Sequence, residues 1–499
     1  MVISIVDMII VVLYLMLMVA IAFFFAKRKI KNFDDYFLAG GKLPAAVLIA
    51  TLTSTYFGTD SLMGDAEMGF GLGISGFFSY CFIAAILLIV LAFVGGKIKE
   101  KLGDTRTVVE IIGSTYGPVS RMCAAIGSLA YTTPIVNIMA MGIAFKIALG
   151  MEFWVGVLIA GIIATVHTYY GGLVVVSIAD TINFAFISIG IAIIGLVAWN
   201  FMGTDNILQG LENFAGGDPS YFFQPTGGWL TGGLMVTYAV TALSVLCEPT
   251  LFQRIFAAAS GKDVRKALII AAIIYAAYSI VATFVGILAA AGVGLGTLGE
   301  IRASEAMISL AIEVLPVGVL GLFLAGFLAG GLSTCDSMLL VAGGNLAYDI
   351  YKPLSKKEIS DEKMVKHTKR GVLIISALSV LLCFAFGRLM SAWTFVASLL
   401  CNTTLVPLYT ALFLKGKKSR LAGEISALFG LVGTFGMYFG IYLFGYYDDT
   451  WATRMFDVDL FGNIVPIWQE YNILIILPLT AIVYFVVHLI TQPNKKASH

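Results

Sequence analysis

Three residues in the last third of the chain share one helical face and carry oxygen ligands. Ser333 and Thr334 follow Gly330 by three and four residues within an apolar run, and residues at that spacing are neighbours on a helix. Far upstream, Ser54 and Phe57 lie where an apolar segment turns polar, so their backbone carbonyls are candidate ligands. A hard monovalent cation prefers hydroxyl and carbonyl oxygens. We therefore predict a sodium site between these two segments.

A second set of oxygens overlaps the first. Ser333, Asp336 and Ser337 repeat the spacing of three and four residues, and Asp180 lies at depth in another apolar segment. These four residues predict a second sodium site or an ion path. Two alternatives stay open. In the first, Asp180 and Asp336 share a proton, and the coupling ion is a proton. In the second, the two acids pair structurally inside a helical bundle.

The elements that carry these residues are those of a membrane protein. Of 499 residues, 59% are hydrophobic and 12% are charged, and the mean hydropathy is +0.94. A soluble domain carries about 25% charged residues. The net charge of +1 gives no field that would recruit nucleic acid. The six cysteines and four histidines lack the spacing of a disulfide framework or a metal site. We expect no cofactor, and Na⁺ as the one metal ion.

Apolar segments of about 20 residues, the length that crosses a bilayer, recur along the whole chain. Runs of this length predict helices, because barrel strands would be half as long and would alternate. The predicted fold class is an all-α polytopic membrane protein with about 13 transmembrane helices in a single domain, 1-499. The segments are 4-26, 43-70, 73-97, 120-149, 152-170, 173-202, 229-256, 265-294, 304-349, 370-388, 390-414, 421-446 and 470-492.

The lysines and arginines orient these spans. When the thirteen segments alternate, 27 of the 31 basic residues fall on one side, in the segments 27-42, 97-121, 254-266, 352-370 and 415-420 and in the tail. The other side has Lys146, Arg302, Arg388 and Arg454. Basic loops stay in the cytoplasm. We expect a plasma-membrane protein whose N-terminus is outside and whose C-terminus is cytoplasmic.

Polar residues interrupt several spans. Hydroxyls and acids crowd 51-70 in the second span, Glu248 precedes a proline in the seventh, and Asp336 lies in the ninth. Apart from the leading span, the second and seventh are five helices apart. Paired broken helices in corresponding positions indicate an inverted-repeat transporter with its site at the membrane midplane. The expected division is a leading helix (4-26), two repeats (43-202 and 229-414) and trailing helices (421-492).

With these features, several motifs of the chain resemble the sodium:solute symporter family. The motifs are PheAspAspTyrPheLeuAlaGlyGly at 33-41, the interrupted segment 51-70, TyrGlyGlyLeuValValValSerIleAlaAsp at 170-180, PheGlnArg at 252-254, LeuSerThr at 332-334 and AsnLeuAlaTyrAspIleTyr at 345-351. The resemblance implies a LeuT-like five-plus-five inverted repeat with one leading and two trailing helices. It also implies sodium-coupled symport of a small organic solute by alternating access.

The resemblance also carries site residues onto this chain. Its common sodium site falls on Ser54, Phe57, Gly330, Ser333 and Thr334, and the second site of some members falls on Asp180, Ser333, Asp336 and Ser337. Its substrate positions fall on Tyr56, Asp60, Ser61, Tyr80, Thr133, Asn137 and Glu248.

Those substrate positions include acids and no basic residue, so a substrate carboxylate would lack a guanidinium partner. We predict an amino-bearing solute, cationic or zwitterionic, such as an amino acid or an amine, with Glu248 or Asp60 facing the amine. The alternatives are a sugar or carboxylate substrate, and acids that pair with helix-terminus donors without touching substrate. No HExxH motif or Ser/His pairing supports an intramembrane enzyme. The loop 352-370 is too small for the output domain of a sensor. The sequence does not set an oligomeric state.

Overall fold

The computed structural model describes residues 3–26, 32–102, 104–226, 232–355, 358–386, 389–448, 453–460 and 462–491. The α-helices are Ile5–Ala26, Phe33–Leu38, Ala45–Tyr56, Thr59–Leu72, Ile74–Gly76, Phe82–Lys101, Val108–Tyr116, Pro118–Tyr131, Ile135–Leu149, Phe153–Met202, Thr204–Ala215, Gly232–Thr241, Pro249–Ala257, Gly261–Gly294, Ala306–Val314, Val319–Gly344, Lys352–Leu354, Asp361–Leu382, Leu389–Leu400, Val406–Phe413, Arg420–Phe444 and Asn472–Thr491. Turns of π-helix at Phe77–Cys81, Asn345–Tyr351 and Cys401–Leu405 join consecutive helices, and 3-10 turns occur at Ala39–Gly41, Pro219–Phe223, Ala242–Leu246, Ala303–Glu305 and Gln469–Tyr471.

The helical membrane fold predicted from the sequence is confirmed. Nine helices in the described part of the chain are long and apolar enough to cross a membrane. One of them, Phe153–Met202, has 50 residues, about 75 Å of helix, which is more than twice the roughly 30 Å of a hydrocarbon core. Gly172 interrupts it with φ 62° and ψ 176°, between the predicted spans 152-170 and 173-202. The total of thirteen spans stays a prediction.

Both predicted interruptions are present. We call Ala45–Tyr56 and Thr59–Leu72 the first broken helix. Gly232–Thr241 and Pro249–Ala257, joined by a 3-10 turn, form the second broken helix. Proline lacks the backbone donor that would continue the helix, which explains a restart at Pro249.

Two further interruptions were not expected. The predicted span 120-149 is divided at 132–134, immediately before the helix that starts at Ile135. The predicted span 304-349 is two helices, Ala306–Val314 and Val319–Gly344, with Pro316 between them. In each case a proline lies at the break, and its missing donor and its ring explain why the helix ends there. We call Val319–Gly344 the central helix, because nearly all of its residues are buried.

Two segments between the predicted spans contain regular secondary structure. The segment 203-228 contains the helix Thr204–Ala215. The segment 446-469 forms a three-stranded antiparallel sheet of Tyr446–Asp448, Thr453–Leu460 and Asn463–Trp468, in which Met455 pairs with Tyr446 on one side and Trp468 on the other. This sheet is small beside the helical body, and alternating valine, isoleucine and aromatic residues explain it.

Several of the basic segments contact one another. Arg106 binds Asp34 at 2.5 Å, Arg121 binds Asp349 at 2.9 Å, and Lys99 donates to the carbonyl of Phe256 at 2.7 Å. These segments therefore lie at one end of the bundle, as a shared side of the membrane requires. Which side is cytoplasmic stays a prediction. Nine basic residues lie outside the described residues: Lys27, Arg28, Lys29, Lys31, Lys356, Lys357, Arg388, Lys495 and Lys496.

The first turn of the leading helix, Ile5–Ala26, is hydrogen-bonded to the start of the central helix. The Oδ1 atom of Asp7 accepts hydrogen bonds of 2.7 Å from the backbone N–H groups of Gly318 and Gly321. Free N–H groups at a helix start need such acceptors. Further along, the Tyr14 hydroxyl donates to Asn183 at 3.0 Å.

Gly172 offers a test of the long helix. Its φ of 62° is a backbone conformation that glycine adopts without strain and other residues rarely adopt. A Cβ added there would lie 2.7 Å from the ring of Tyr36. We expect Gly172→Ala to lower the free energy of unfolding by about 2 kcal/mol, measured by thermal unfolding in detergent. Gly436→Ala is the matched control, since its Cβ would meet nothing within 4 Å; alanine there should be neutral or stabilise by about 0.5–1 kcal/mol. Equal melting temperatures for the two variants would contradict the prediction that a side chain at position 172 strains this junction.

Candidate ion and solute site

In the first broken helix, the segment Ala45–Tyr56 ends because the backbone leaves helical geometry at Phe57, which has φ −110° and ψ 67°. The next helix starts after Gly58, where a Cβ would lie 2.2 Å from the Oγ1 atom of Thr334. Only a glycine lets the backbone approach the central helix this closely. The last carbonyls of Ala45–Tyr56 therefore lack the donors that a continuing helix would supply.

The five residues of the predicted first sodium site meet at this break. Ser333 donates to the hydroxyl of Ser54 at 3.0 Å. A Cβ on Gly330 would lie 3.2 Å from the carbonyl oxygen of Phe57. Thr334 donates to the carbonyl of Thr55 at 2.9 Å, and all these residues are buried. Hydroxyl and unwound carbonyl oxygens from two helices are the donors that a hard monovalent cation requires.

Asp180 supplies a buried carboxylate beside this junction. Its Oδ1 atom accepts from Ser333 at 2.5 Å, and its Oδ2 atom accepts from Thr51 on the first broken helix. The side chain is fully buried in the long helix. The structure therefore brings Asp180 and Ser333 together, as the predicted second set requires.

Arg254 occupies a place that the sequence did not suggest. It was counted among the basic loop residues, but it is fully buried, and its guanidinium is 3.6 Å from Asp180. Its Nη2 group donates to Thr55 at 2.9 Å, to Thr51 at 3.2 Å and to Ser337. Arg254 lies in the helix Pro249–Ala257, whose residues are all buried, so it is part of the core rather than of a loop.

The other members of the predicted second set have different partners. Asp336 accepts from Thr168 at 2.7 Å and contacts His167 Nδ1. Ser337 is bonded to Arg254 and lies 3.0 Å from the hydroxyl of Thr55. Among the contacts of the described residues, no hydrogen bond joins Asp180 to Asp336, and each carboxylate has other partners. His167 is a titratable residue in an apolar span, where such residues are rare. Its position was therefore a signal in the sequence, but the histidines were considered only as metal ligands.

A cavity opens beside the sodium-site residues, with about 570 Å³ of space between atoms when the adjoining solvent is included. Five predicted substrate residues line it: Tyr56, Asp60, Ser61, Tyr80 and Glu248. The remaining lining residues are Thr55, Gly64, Asp65, Met68, Tyr131, Val136, Thr334, Met338, Leu389, Met390 and Trp393. Both broken helices contribute, so the cavity shares its walls with the ion site.

Thr133 and Asn137 lie next to the cavity but do not line it. Thr133 donates to the carbonyl of Leu129 at 2.7 Å, in the last turn of the preceding helix. The side-chain oxygen of Asn137 accepts from the Thr59 hydroxyl at 3.0 Å and from the Asp60 backbone N–H at 3.2 Å. Asn137 therefore holds the start of Thr59–Leu72 in place. Sequence reasoning missed Trp393, because its helix carries no polar interruption.

Three comparisons identify the class of protein. Residues 36–427 match the model of the sodium:solute symporter family. The sodium/glucose cotransporter of Vibrio parahaemolyticus is 24% identical, over 86% of this chain and 84% of that protein. The high-affinity proline transporter PutP of Bacillus subtilis is 24% identical, over 72% of this chain and 77% of that protein. The solved structure of a Na⁺-coupled sialic acid symporter in a substrate-bound outward-open state has the same fold, with a TM-score of 0.78 at 17% identity, covering 99% of this chain and all of that one.

A family match over this length settles the membership. The chain belongs to the sodium:solute symporter family, whose members are multi-pass membrane transporters with Na⁺ as the coupling ion. The relatives named above differ in what they carry, so the substrate of this chain is a separate question.

The buried pair of Arg254 and Asp180 gives a stability prediction. Removing one member of a buried ion pair typically costs about 3–5 kcal/mol, because the other charge is left without a partner. We expect Arg254→Gln to destabilise the protein by about that amount, and Arg254→Gln combined with Asp180→Asn to cost less than the sum of the single changes. Unfolding in detergent measures both.

Arg420 provides the control for this pair. It is bound to Glu424 at 2.9 Å, one helical turn away, but its side chain is 65% exposed. Exposed pairs of this kind contribute about 0.3–0.5 kcal/mol, so Arg420→Gln should change stability little. Additive effects of the Arg254 and Asp180 substitutions would show that the two charges do not interact.

Proposed function

We propose that this symporter imports a small amino-bearing solute, cationic or zwitterionic, driven by the sodium gradient across the plasma membrane. One observation carries the proposal: the cavity is lined by three carboxylates, Asp60, Asp65 and Glu248, and by no lysine, arginine or histidine among the described residues. A buried carboxylate favours a cationic partner, because an unpaired charge away from water is costly. An ammonium group on the solute supplies that partner.

Aromatic rings support the same class of solute. Trp393 packs edge-on against Tyr80 with ring centroids 4.5 Å apart, and Tyr56 packs against Tyr275 at 4.8 Å. Aromatic faces attract a cation beyond their apolar contact. The wall thus combines acids with rings, whereas a substrate carboxylate finds no basic group to bind it.

Sodium acts at the junction of the first broken helix and the central helix. In the proposed cycle, Na⁺ is held by carbonyls of Ser54, Phe57 and Gly330 and by hydroxyls of Ser333 and Thr334. Thr55, Tyr56 and Thr334 lie at this junction and also line the cavity. Ion binding there orders the wall to which the solute binds, and a ligand drives a conformational change only by binding one state better than the other.

Asp180, Ser333, Asp336 and Ser337 are proposed as an ion path rather than a second sodium site. The Arg254 guanidinium lies beside Asp180 and is bonded to Ser337, so a positive charge is already present where a second Na⁺ would bind. The proposed ratio is therefore one sodium ion per solute. Asp180, bonded to Ser333, offers the next oxygens to an ion leaving the site.

The sodium site can be tested by removing its hydroxyls. Ser333→Ala combined with Thr334→Ala deletes two of the five ligands, so we expect the sodium concentration for half-maximal transport to rise at least tenfold, as loss of about 1.4 kcal/mol or more of binding requires. The measurement is solute uptake by proteoliposomes at varied external sodium.

The matched control removes a serine and a threonine elsewhere. Thr368 and Ser379 are buried and donate to carbonyls of their own helix at 3.0 and 2.7 Å. Thr368→Ala with Ser379→Ala should leave the sodium dependence unchanged. An unchanged sodium dependence in the Ser333/Thr334 variant would remove these residues from the ion site.

The solute class is tested at Glu248. Glu248→Gln keeps the shape of the side chain but removes its charge, and a hydrogen bond to a charged group contributes about 1.5–3 kcal/mol. We expect the KM for an amine or amino acid to rise at least tenfold in proteoliposomes, with sodium dependence kept. Glu212→Gln, on the exposed outer helix, is the control. If amine uptake is unchanged in Glu248→Gln, or if only a sugar or a carboxylate is transported, the proposal is wrong.

A further inference from the structure

Each of the three cavity carboxylates has an oxygen without a partner in the described part of the chain. These atoms are Oδ1 of Asp60, Oδ2 of Asp65 and Oε2 of Glu248. Asp65 and Glu248 are 2% and 3% exposed. Buried polar atoms are normally paired, so three unpaired carboxylate oxygens around one cavity indicate donors that the bound solute supplies.

The second oxygen of each of the two most buried acids is already in use. Oδ1 of Asp65 accepts from the Cys81 thiol at 3.1 Å, and Oε1 of Glu248 accepts from Thr250 at 2.5 Å. These bonds fix both carboxyl groups in place and leave the other oxygen of each for a ligand. Neither acid has a basic residue among its hydrogen-bond partners. The position of each negative charge is therefore set before a solute arrives.

The acids are spread along the cavity rather than gathered at one point. Asp60 and Asp65 lie on the same helix, five residues apart, about 7.5 Å along its axis at 1.5 Å per residue. Glu248 comes from the second broken helix and lines the same cavity. With this offset between Asp60 and Asp65, we assign a separate ammonium group to each of the two acids.

The wall between the acids is apolar. Met68, Val136, Met338, Leu389 and Met390 line the same cavity. Thioethers adapt to flexible aliphatic chains. A carboxylate on the solute would meet three acids and no cation, and the one nearby guanidinium, that of Arg254, already donates to Thr51, Thr55, Gln253 and Ser337.

We propose that the solute is a diamine: two amino groups joined by a methylene chain, with no carboxylate. One ammonium group binds between Asp60 and Glu248, and the other binds Asp65. An extended chain covers roughly 1.2 Å per bond, so about four or five methylene groups match the spacing of the acids. This inference rests on the proposed sodium-driven uptake of amino-bearing solutes and narrows it to one class.

The experiment compares 1,4-diaminobutane and 1,5-diaminopentane with 1-aminobutane, lysine, proline and glucose in proteoliposomes, with an inward sodium gradient or with potassium in its place. We expect saturable, sodium-dependent diamine uptake, and a KM at least tenfold lower than that of 1-aminobutane. Lysine should be transported less well than the diamines, because its carboxylate has no partner.

Asp65→Asn tests the second ammonium site. It should raise the KM for the diamines at least tenfold and change that of 1-aminobutane less than twofold, whereas Asp65→Glu should keep most of the diamine preference. Asp205→Asn, an exposed acid on the outer helix, is the control. A sodium-dependent thermal shift with the diamines reports binding even if a variant transports poorly.

The outcomes separate the two proposals. If 1-aminobutane or proline is taken up with sodium as well as the diamines are, the diamine inference is wrong and the amino-bearing class stands. If only glucose is taken up, both fail. A diamine preference that persists in Asp65→Asn would overturn the assignment of the second ammonium to Asp65.

Discussion

The interruption of one helix at Phe57 and Gly58 is the constraint on which the site depends. Within a bilayer no water is available to satisfy free peptide groups, so every group released at the break must find a partner in the protein or in a ligand. Thr334 donates to the carbonyl of Thr55, Ser61 donates to that of Tyr56, and Asn137 accepts from the N–H of Asp60. The carbonyls that remain beside the central helix are then suited to an ion, and the break also turns Tyr56, Asp60 and Ser61 toward the cavity. One local departure from helical geometry thus forms both the proposed ion site and one wall of the cavity.

The buried charges fall into two groups with different surroundings. Asp180 lies beside Arg254, and Asp336 is bonded to His167 and Thr168, so each has polar partners from another helix. The cavity acids instead keep one oxygen each unpaired. Buried ionic groups are costly unless paired, and on this difference we base the proposal that the cavity acids bind the solute. By position alone in the sequence, Asp180 and Asp60 look alike.

Much of the fold could be predicted from the sequence, because a bilayer imposes strong rules on composition and length. Twenty-residue apolar runs have to be helices, and polar residues within such runs have to line a path. These rules were enough for the breaks near Phe57 and Glu248. They were insufficient at 132–134, where two threonines precede Pro134, and at 315–318, where Pro316 and Gly318 lie in an apolar run. They also missed the small sheet at 446–468, because the bilayer rules do not apply to a short segment between two spans.

By itself, the sequence determined that this is a polytopic helical membrane protein, where two of the interrupted spans lie, and which oxygen-bearing residues share a helical face with Gly330. All of these follow from local spacing and hydropathy. The tertiary structure decided which charges become partners. Arg254, predicted as a loop residue, lies beside Asp180, and Asp336 contacts His167. Among the described residues, Asp60, Asp65 and Glu248 each have an unpaired oxygen at one cavity. Pairing is a property of helices far apart in the chain, with Asp180 and Arg254 separated by 74 positions, and no local pattern reports which of them will meet.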